Sequence, residues 1–563
     1  MADTTTRYLT RKGALWTERS SWENHWRELS DYFSPRTGRF IATKRNKGDK
    51  RHGKLLDNAT LFATRVTSAG LMAGMTSPAR PWFKLETTNK ELMKRDAVRK
   101  WCNDVSVLMR TIFSRSNTYR ALQSMYGELL PYGTAADIVL DDFEDVLRHY
   151  NCTIGEYAIA TDGRGVVDTL YREFEMTVAQ IVSQFVYDEH TGKFDWSKVS
   201  PSIKNLWDNH GQNAWRPVLH AIEPRFHRPA GSMLSRHMRF ASCYMEVGRD
   251  NDGLLRESGF RNFPALCPRW DVTPGDIYGN SPGMESLGDA KELQHKHMRK
   301  ALAVDYKVKP PLQIPESMAN KPLAMLPGGA NYVPQTSSGQ AIRSAFEVDL
   351  DIGQVREDIQ DIRQRINTAF YVDMFLMLAQ DDRSGVTARE VAERHEEKLL
   401  MLGPVLERLH NELASPLIDL AFTKIVENRL LPPPPQEMQG ADINVRFVSV
   451  LAQAQQAVGL QSVDRLLGTV GSIANFVPDA LDKLNTDEII DHYADMLGVD
   501  PDLIVADEKV AIIRQKRAEA QAQQAAAQQA EQTAKTAATM GSVDSKNLYD
   551  VMTQFSGYNA PVQ

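Results

Sequence analysis

The chain has 563 residues, 42% hydrophobic and 25% charged, enough for roughly three or four structural units around a real apolar core, and a wholly disordered protein is excluded. No run of about 18 apolar residues occurs, and the N-terminal MADTTTRYLTRKGALW lacks an apolar segment of secretory type, so neither a transmembrane helix nor a secretory signal is expected. Lys and Arg number 66 against 72 Asp and Glu, a net charge of −6, which argues against a surface that grips nucleic acid everywhere by neutralising phosphates. Cys102, Cys152, Cys243 and Cys267 are dispersed with no close pairing, which suits a reducing compartment and gives no support to a Cys-based zinc site.

In chain order, Trp16, Trp22, Trp26, Leu29, Tyr32 and Phe33 are spaced to share one face of an amphipathic helix from about Gly13 to Phe33, stopped by Ser34-Pro35. The stretch from Arg36 to Lys54 carries eight Lys or Arg and one Asp. It reads either as a patch for phosphate or an acidic partner, or as a solvated loop. A second helix is predicted over 55–75, where Ala59, Ala63, Ser68, Ala69 and Gly70 permit close packing; the Ser77-to-Phe83 segment ends it. Helical patterning returns over 92–113 and 119–130. β-branched and aromatic residues alternate over 134–140 and again over 157–174, the second run folded about Asp162-Gly163-Arg164-Gly165 as a hairpin. A helix is predicted over 176–187 and a strand over 240–247.

Beyond Trp270 the pattern changes. One uninterrupted helix is predicted over 282–306, carrying Lys291, Lys296, Arg299 and Lys300. Pro310, Pro311, Pro315, Pro322 and Pro327-Gly328-Gly329 then mark a small β/loop module. A second helix is predicted from Asp349, with Asp349 and Asp351 at its positive end, through Ile359, Ile362, Ile366 and Phe370 to about Leu378. The segment from Gln380 to Gly385 breaks the pattern, and Thr387 with Glu390 forms a capping box for a third helix reaching Leu430. Leu399, Leu402, Leu406, Leu409, Leu413, Leu417 and Leu420 make a coiled-coil-like stripe along it, and Pro404 and Pro416 predict kinks. Pro432 to Pro435 end it, 443–450 alternates as a strand, and 451–517 predicts several short helices. The Ala/Gln-rich 518–539 has high helix propensity but no apolar face, as in a projecting helix or a disordered tail. The fold class is α+β, predominantly helical.

The sequence offers little chemistry. Gly53-Lys54 and Gly192-Lys193 are followed by Leu55 and Phe194, not by the Ser or Thr that a phosphate-cradling loop requires. His295 and His297 are two apart, which places them on different helix faces, and His395-Glu396 has no second histidine four residues on, so no metal site is expected. Asp502, Asp507 and Glu508 could supply carboxylates for Mg²⁺, but they sit where acidic groups complement a helix start. No catalytic residue, no cofactor and no enzymatic activity are expected.

The segment from Phe263 to Ala301 contains Pro264, Pro268-Arg269-Trp270, Gly275-Asp276-Ile277-Tyr278-Gly279 and Ser281-Pro282 ahead of a long helix. This resembles the head-to-tail connector, or portal, family of short-tailed (podovirus-type) bacteriophages. Three further stretches are similar to that family: Leu170 to Phe185, with Arg172-Glu173-Phe174 and Thr177-Val178-Ala179-Gln180; Thr387-Ala388-Arg389-Glu390-Val391; and Val477-Pro478 through Gly498-Val499-Asp500-Pro501. Together they span roughly residues 7 to 515 and leave the Ala/Gln tail outside.

The resemblance implies an α+β wing at 1–281, a first stem helix at 282–306, a clip at 307–348, a second stem helix at 349–378, a tunnel loop at 379–386, a long kinked wing helix and strand at 387–450, a helical crown at 451–517 and a tail at 518–563. It implies a homo-oligomeric ring, usually of twelve subunits, at one capsid vertex of the virion, assembled in the host cytoplasm without a membrane. Double-stranded DNA would pass through it without sequence specificity, driven by the terminase large subunit; tail adaptor, major capsid and scaffolding proteins would be the other partners. The channel candidates are Gln380, Asp381, Asp382, Arg383 and Ser384 of the tunnel loop, with Lys296, Arg299 and Lys300; Pro310, Pro311, Pro315, Lys321 and Pro327 are the clip candidates for docking. The competing readings are a DNA-processing enzyme, nuclease or ATPase, and a structural tail or scaffold protein without a channel. An excess of Lys and Arg over 291–309 and of Asp and Glu over 347–361 reads either as a charge match between subunits or as two solvated faces.

Overall fold

The computed structural model describes residues 2–40, 53–93, 95–189, 191–229, 231–232, 234–248, 254–314, 343–344, 351–380, 401–438, 440, 442–449, 451–452, 461–474, 484–496, 505 and 507–541. They divide into two units, one built from 1–85, 104–433 and 445–472, the other from 86–103, 434–444 and 473–563.

Helix α1 (Ala2–Phe33) starts well before the expected Gly13. Tyr8, Leu15, Trp26, Leu29 and Phe33 are buried along it, whereas Trp16, Trp22 and Tyr32 are half-buried. Its first turns hold three threonines, poor helix formers, because tertiary contacts outweigh propensity there: Tyr8 lies 6.4 Å from Tyr171 and accepts a hydrogen bond from the Cys243 thiol at 3.3 Å. After α2 (Ala59–Met75) and strand β1 (Phe83–Thr87), the single helix expected over 92–113 is two, α3 (Lys90–Met93) and α4 (Asp96–Arg115). Helix α5 (Thr118–Tyr132) ends on Gly133 in the left-handed conformation, φ 73°.

Two antiparallel sheets follow. Strands β2 (Ala136–Asp142) and β3 (Val146–Cys152) pair from Ala136↔Cys152 to Asp142↔Val146. The larger sheet contains β4 (Tyr157–Thr161) and β5 (Val167–Thr177), the expected hairpin, then β8 (Trp215–Pro224), β9 (Phe240–Glu246) and β10 (Leu254–Phe260), in the order β10-β9-β8-β5-β4. It is covered on both faces. Val178, Ile181, Phe185, Ile203, Val218 and Leu255 pack in one core, and Tyr8, Leu15, Ala158, Tyr171, Leu219 and Cys243 in another. Neighbours Val218 and Leu219 thus serve opposite faces, as the strand period of two requires.

The helix expected over 176–187 is largely replaced. β5 continues to Thr177, whose hydroxyl caps a short turn, α6 (Val178–Ile181), in a capping box with Gln180. A π-turn over Val182–Val186 and the small ladder of β6 (Tyr187–Asp188) with β7 (Lys193–Phe194) come next, then α7 (Pro201–Asp208).

In the same unit, β11 (Ala265–Leu266) pairs with β2. The helix expected as one piece from Pro282 is α8 (Pro282–Glu285) and α9 (Leu287–Val308), parted at Ser286, whose hydroxyl bonds the Pro282 carbonyl at 2.6 Å. Beyond it, β12 (Leu312–Gln313) pairs with β13 (Arg343–Ser344); the rest of the expected β/loop module lies outside the described residues. Helix α10 (Ile352–Ala369) is capped by Asp351, which accepts from Gly353 N at 2.7 Å. It does not run on to Leu378. The chain breaks at Tyr371, φ 55°, and resumes as α11 (Val372–Gln380), because the buried Phe370 stacks on Phe33 (5.6 Å) and its carbonyl accepts from Thr67 Oγ1 (2.6 Å).

The Leu-striped helix is described from 401. Leu402, Leu406, Leu409, Leu413 and Leu417 are fully buried. The helix passes through Pro404 and widens into a π-turn over His410–Ala414 before continuing as Ser415–Glu427. Pro416 has no N–H to give the carbonyl one turn back, and Ser415 N bonds His410 O instead. Thr387, Glu390 and Leu399 lie outside the described residues. The strand expected over 443–450 is β14 (Ile443–Phe447).

In the second unit, helix Thr486–Met496 is tied to helix Asp507–Gly541 by Arg514, whose guanidinium forks onto Asp487 at 2.6 and 2.6 Å. The long helix runs unbroken through 517 and 518 into the Ala/Gln stretch, and its side chains are exposed from Ala511 to Gln529.

Candidate functional site

The residues that stood out in the sequence around Pro268 to Pro282 converge on the base of α9. Arg269 is buried; its backbone N and Nε reach one oxygen of Glu412 at 2.9 and 3.1 Å, and Nη2 reaches the other at 2.7 Å. The same guanidinium donates to the carbonyls of Gly165 and Ile277 (2.8 and 3.3 Å), so one planar fork joins the β4–β5 turn, the 268–278 segment and the π-turn. Tyr278 is buried edge-on to Trp26 at 5.0 Å, and its hydroxyl accepts from Ile159 N at 3.2 Å. Gly279 lies against Gly133. A Cβ at Gly279 would stand 2.3 Å from the Gly133 carbonyl oxygen. Ser281 bonds the Pro131 carbonyl (2.8 Å) and caps α8 through Met284 N (3.0 Å). Arg269, Tyr278, Gly279 and Ser281 together fix where the long helix begins, whereas Gly275 and Asp276 of the same motif are exposed.

A second group holds α9 to α10. Asp57, buried just ahead of α2, accepts from Arg363 Nε and Nη2 at 3.0 and 2.7 Å, and His297 Nε2 stands 2.7 Å from the same carboxylate oxygen. Gln294 clamps that stretch of backbone by accepting from Leu56 N and Asp57 N (2.6 and 2.8 Å) and donating to Asp57 O (2.9 Å). Further out, Lys296 bridges to Asp358 (3.0 Å), and Arg365 to Asp289 (3.3 Å) and Glu292 (3.4 Å). Part of the opposite charge of the two helices is therefore matched within one chain.

Among the expected channel residues, Lys296 faces α10, Arg299 is exposed and Lys300 half-buried on α9, and Gln380 ends α11. Asp381, Asp382, Arg383 and Ser384 lie outside the described residues. Pro310 is half-buried and Pro311 exposed between α9 and β12; Pro315, Lys321 and Pro327 also lie outside. Asp57, Gln294, Arg363 and Glu412 drew no attention in the sequence. A buried Asp paired across the fold has no local signature, although an Arg and a His recurring among apolar helix positions could have hinted at one.

One constellation has the order of a catalytic triad: Asp137 Oδ2 to His149 Nδ1 at 2.5 Å, and His149 Nε2 to Thr118 Oγ1 at 3.0 Å. Asp137 and Thr118 are 0% exposed and His149 3%, which leaves no room for a substrate beside the hydroxyl. It is a polar network inside the core. Among the described residues, no three His, Cys, Asp or Glu side chains are placed to hold a metal ion, and no helix is long and apolar enough to cross a membrane.

The chain is an α+β protein, mainly helical, whose motif residues fasten a long helix pair. It belongs to the family described as bacteriophage head to tail connecting protein, whose profile matches residues 5–505. It is 54% identical over 565 residues to the probable portal protein of Bordetella phage BPP-1, covering 99% of this chain and 100% of that one. It is 42% identical over 523 residues to the portal protein of Salmonella phage epsilon15, covering 92% of each. Among solved structures it is similar to chains of a gene transfer agent: one from the neck of the empty particle (14% identity, 83% of this chain and 96% of that one, TM-score 0.36) and one from the native virion (13%, 84% and 99%, TM-score 0.36).

Proposed function

We propose that the chain is the repeating subunit of a portal: a ring, usually of twelve copies, at one capsid vertex, through which double-stranded DNA is packaged and later ejected. The observation that carries this is the match, over nearly its whole length, to two phage proteins named portal protein. The fold supplies fitting parts. On this reading 1–281 is the wing, 282–306 and 349–378 the stem, 307–348 the clip, 379–386 the tunnel loop, 387–450 the wing helix and strand, 451–517 the crown and 518–563 a tail. α9 and α10, locked side by side by Asp57 and the ion pairs beyond it, make a stiff post that a ring can use as its wall.

A conduit must surround the duplex without trapping it, since every neutralised phosphate adds to the barrier against sliding. A net charge of −6 per copy repels the duplex and keeps it centred, with Arg299 and Lys300 as sparse local offsets beside Lys296, which Asp358 already engages. Gln380 to Ser384 face the passing DNA. Energy comes from a separate terminase motor, which docks at the clip around Pro310, Pro311, Pro315, Lys321 and Pro327; tail adaptors take the same end afterwards, and capsid and scaffolding proteins surround the wing. The chain itself does no catalysis.

Negative-stain imaging of the purified full chain is expected to show rings with a central hole. A strictly monomeric protein, or one that hydrolyses ATP or cleaves DNA with Mg²⁺ unaided, overturns the reading. Reversing Asp381 and Asp382 to Lys is expected to impair packaging or DNA retention while rings still form; normal packaging and retention would remove the tunnel loop from the mechanism.

A further inference from the structure

Against a body of net negative charge, one loop stands apart. The β8–β9 connection, from Pro224 to Arg239, carries Arg225, Arg228, Arg236 and Arg239 with His227 and His237 and has no Asp or Glu. Its described residues are tied down at several points. Arg225 N donates to Arg239 O at 2.7 Å and closes its base, and the Arg225 side chain turns inward to Glu257 (3.0 Å) and Ser258 O (3.4 Å). Ser232 and His237 Nδ1 share a hydrogen bond of 2.6 Å. Gly259 of β10 lets the loop lie flat on the sheet, since a Cβ there would stand 2.5 Å from Ser235 O. Fixed this way, the loop presents Arg228, Arg236 and Arg239 exposed. Arg239 rests over the Phe240 ring at 5.3 Å, and none of the three has a carboxylate within ion-pair reach among the described residues.

We infer that this loop binds the phosphate backbone of duplex DNA, a contact outside the tunnel-loop and α9 candidates. Planar guanidinium forks match phosphate oxygens two at a time, and an uninterrupted cationic loop on a rigid sheet end grips a polyanion without reading its bases. An acidic protein is the other polyanion such a loop could meet. The duplex is favoured because the loop offers spread charges and no enclosed apolar pocket: its exposed Phe226 and Leu234 are single side chains, not a core for a protein interface. The inference rests on the portal reading only for the presence of DNA beside the subunit.

The test uses the purified full-length protein, the triple variant R228A/R236A/R239A and its charge-conserving counterpart R228K/R236K/R239K, each checked for ring formation by negative stain. Binding of a short fluorescent duplex is followed by anisotropy over a salt series. Three phosphate contacts contribute about 2.7 to the slope of log K against log salt per engaged loop. Between about 50 and 200 mM salt, the parent protein should therefore lose about 40-fold more affinity than the Ala variant, with the Lys variant close to the parent. Equal slopes and affinities for parent and Ala variant overturn the inference. So does a result in which the Ala variant loses binding to a poly-glutamate probe but keeps its grip on the duplex, which assigns the loop to an acidic protein. A parent chain that forms no rings refutes the portal reading instead, and the salt slopes of parent and variant still decide the loop.

Discussion

Glu128 is buried on α5, where Thr153 Oγ1 (2.5 Å) and Ile154 N (2.9 Å) meet its carboxyl. Burial pushes its pKa up from 4.5 to about 7, against the pull of those two hydrogen bonds. In the unfolded chain the group loses its proton near 4.5; in the folded chain it keeps it to about 7. The native state binds more protons across that window, so stability falls as pH rises through it and levels off above. Glu128→Gln imitates the protonated form and should flatten this slope, a difference of about 3 kcal/mol in the alkaline limit; thermal midpoints of parent and variant across the window measure it. Two glycines give a prediction of opposite signs. Gly279→Ala drives a methyl into the Gly133 carbonyl and should cost about 3 kcal/mol or prevent folding, whereas Gly127, on α5 with open space around it, should gain about 0.5–1 kcal/mol on becoming Ala. Denaturant midpoints report both, and a neutral Gly279→Ala would mean the contact between the two backbones is not required.

At the scale of elements, the Asp57 group decides whether α9 and α10 act as one body. Asp57→Ala removes the carboxylate shared by Arg363 and His297 and should cost about 2 kcal/mol, below the value for a sealed pair because the Arg363 side chain is 41% exposed. Asp57→Asn keeps an oxygen for Ala59 N, now 2.8 Å away, and so separates the turn hydrogen bond from the charge. Limited proteolysis within α10 should accelerate in the Ala variant. The periodic elements were legible in the sequence: the Leu stripe, the hairpin about Asp162 and the Asp351 cap. β8 was not, since Pro217, Pro224, Arg216 and His220 break any alternation, and its burial on both sides leaves no polar face to count. Nor was the break at Tyr371, which arises from Thr67, far away in sequence, taking the Phe370 carbonyl. The motif around Arg269 was visible as a pattern, but its purpose was not, because Glu412 and Gly165 meet it only in three dimensions.

At the scale of the whole molecule, the Ala/Gln helix stands apart energetically. Its side chains from Ala511 to Gln529 are exposed, and beyond the half-covered Ile512 and Ile513 they are mostly Ala and polar residues, which bury little apolar surface. Truncation after Arg517 keeps the Arg514–Asp487 fork and should leave the stability, read from denaturant midpoints, within about 0.5 kcal/mol of the parent; a large drop would show that the missing segment contributes packing.

The break at Ser286 and the knot beneath it make α9 a lever with a defined fulcrum. Its 22 residues span about 33 Å at 1.5 Å per residue, and its near end is pinned through Tyr278, Gly279 and Ser281 to α1, β4 and the end of α5. A sideways push at Val308 is therefore met first by the Gln294 and His297 contacts with the Asp57 segment, and what passes them is delivered as torque to the Gly133–Gly279 contact and the Arg269 fork. What happens at one tip is felt mechanically at the hairpin turn and the π-turn, with no side chain needing to travel between them.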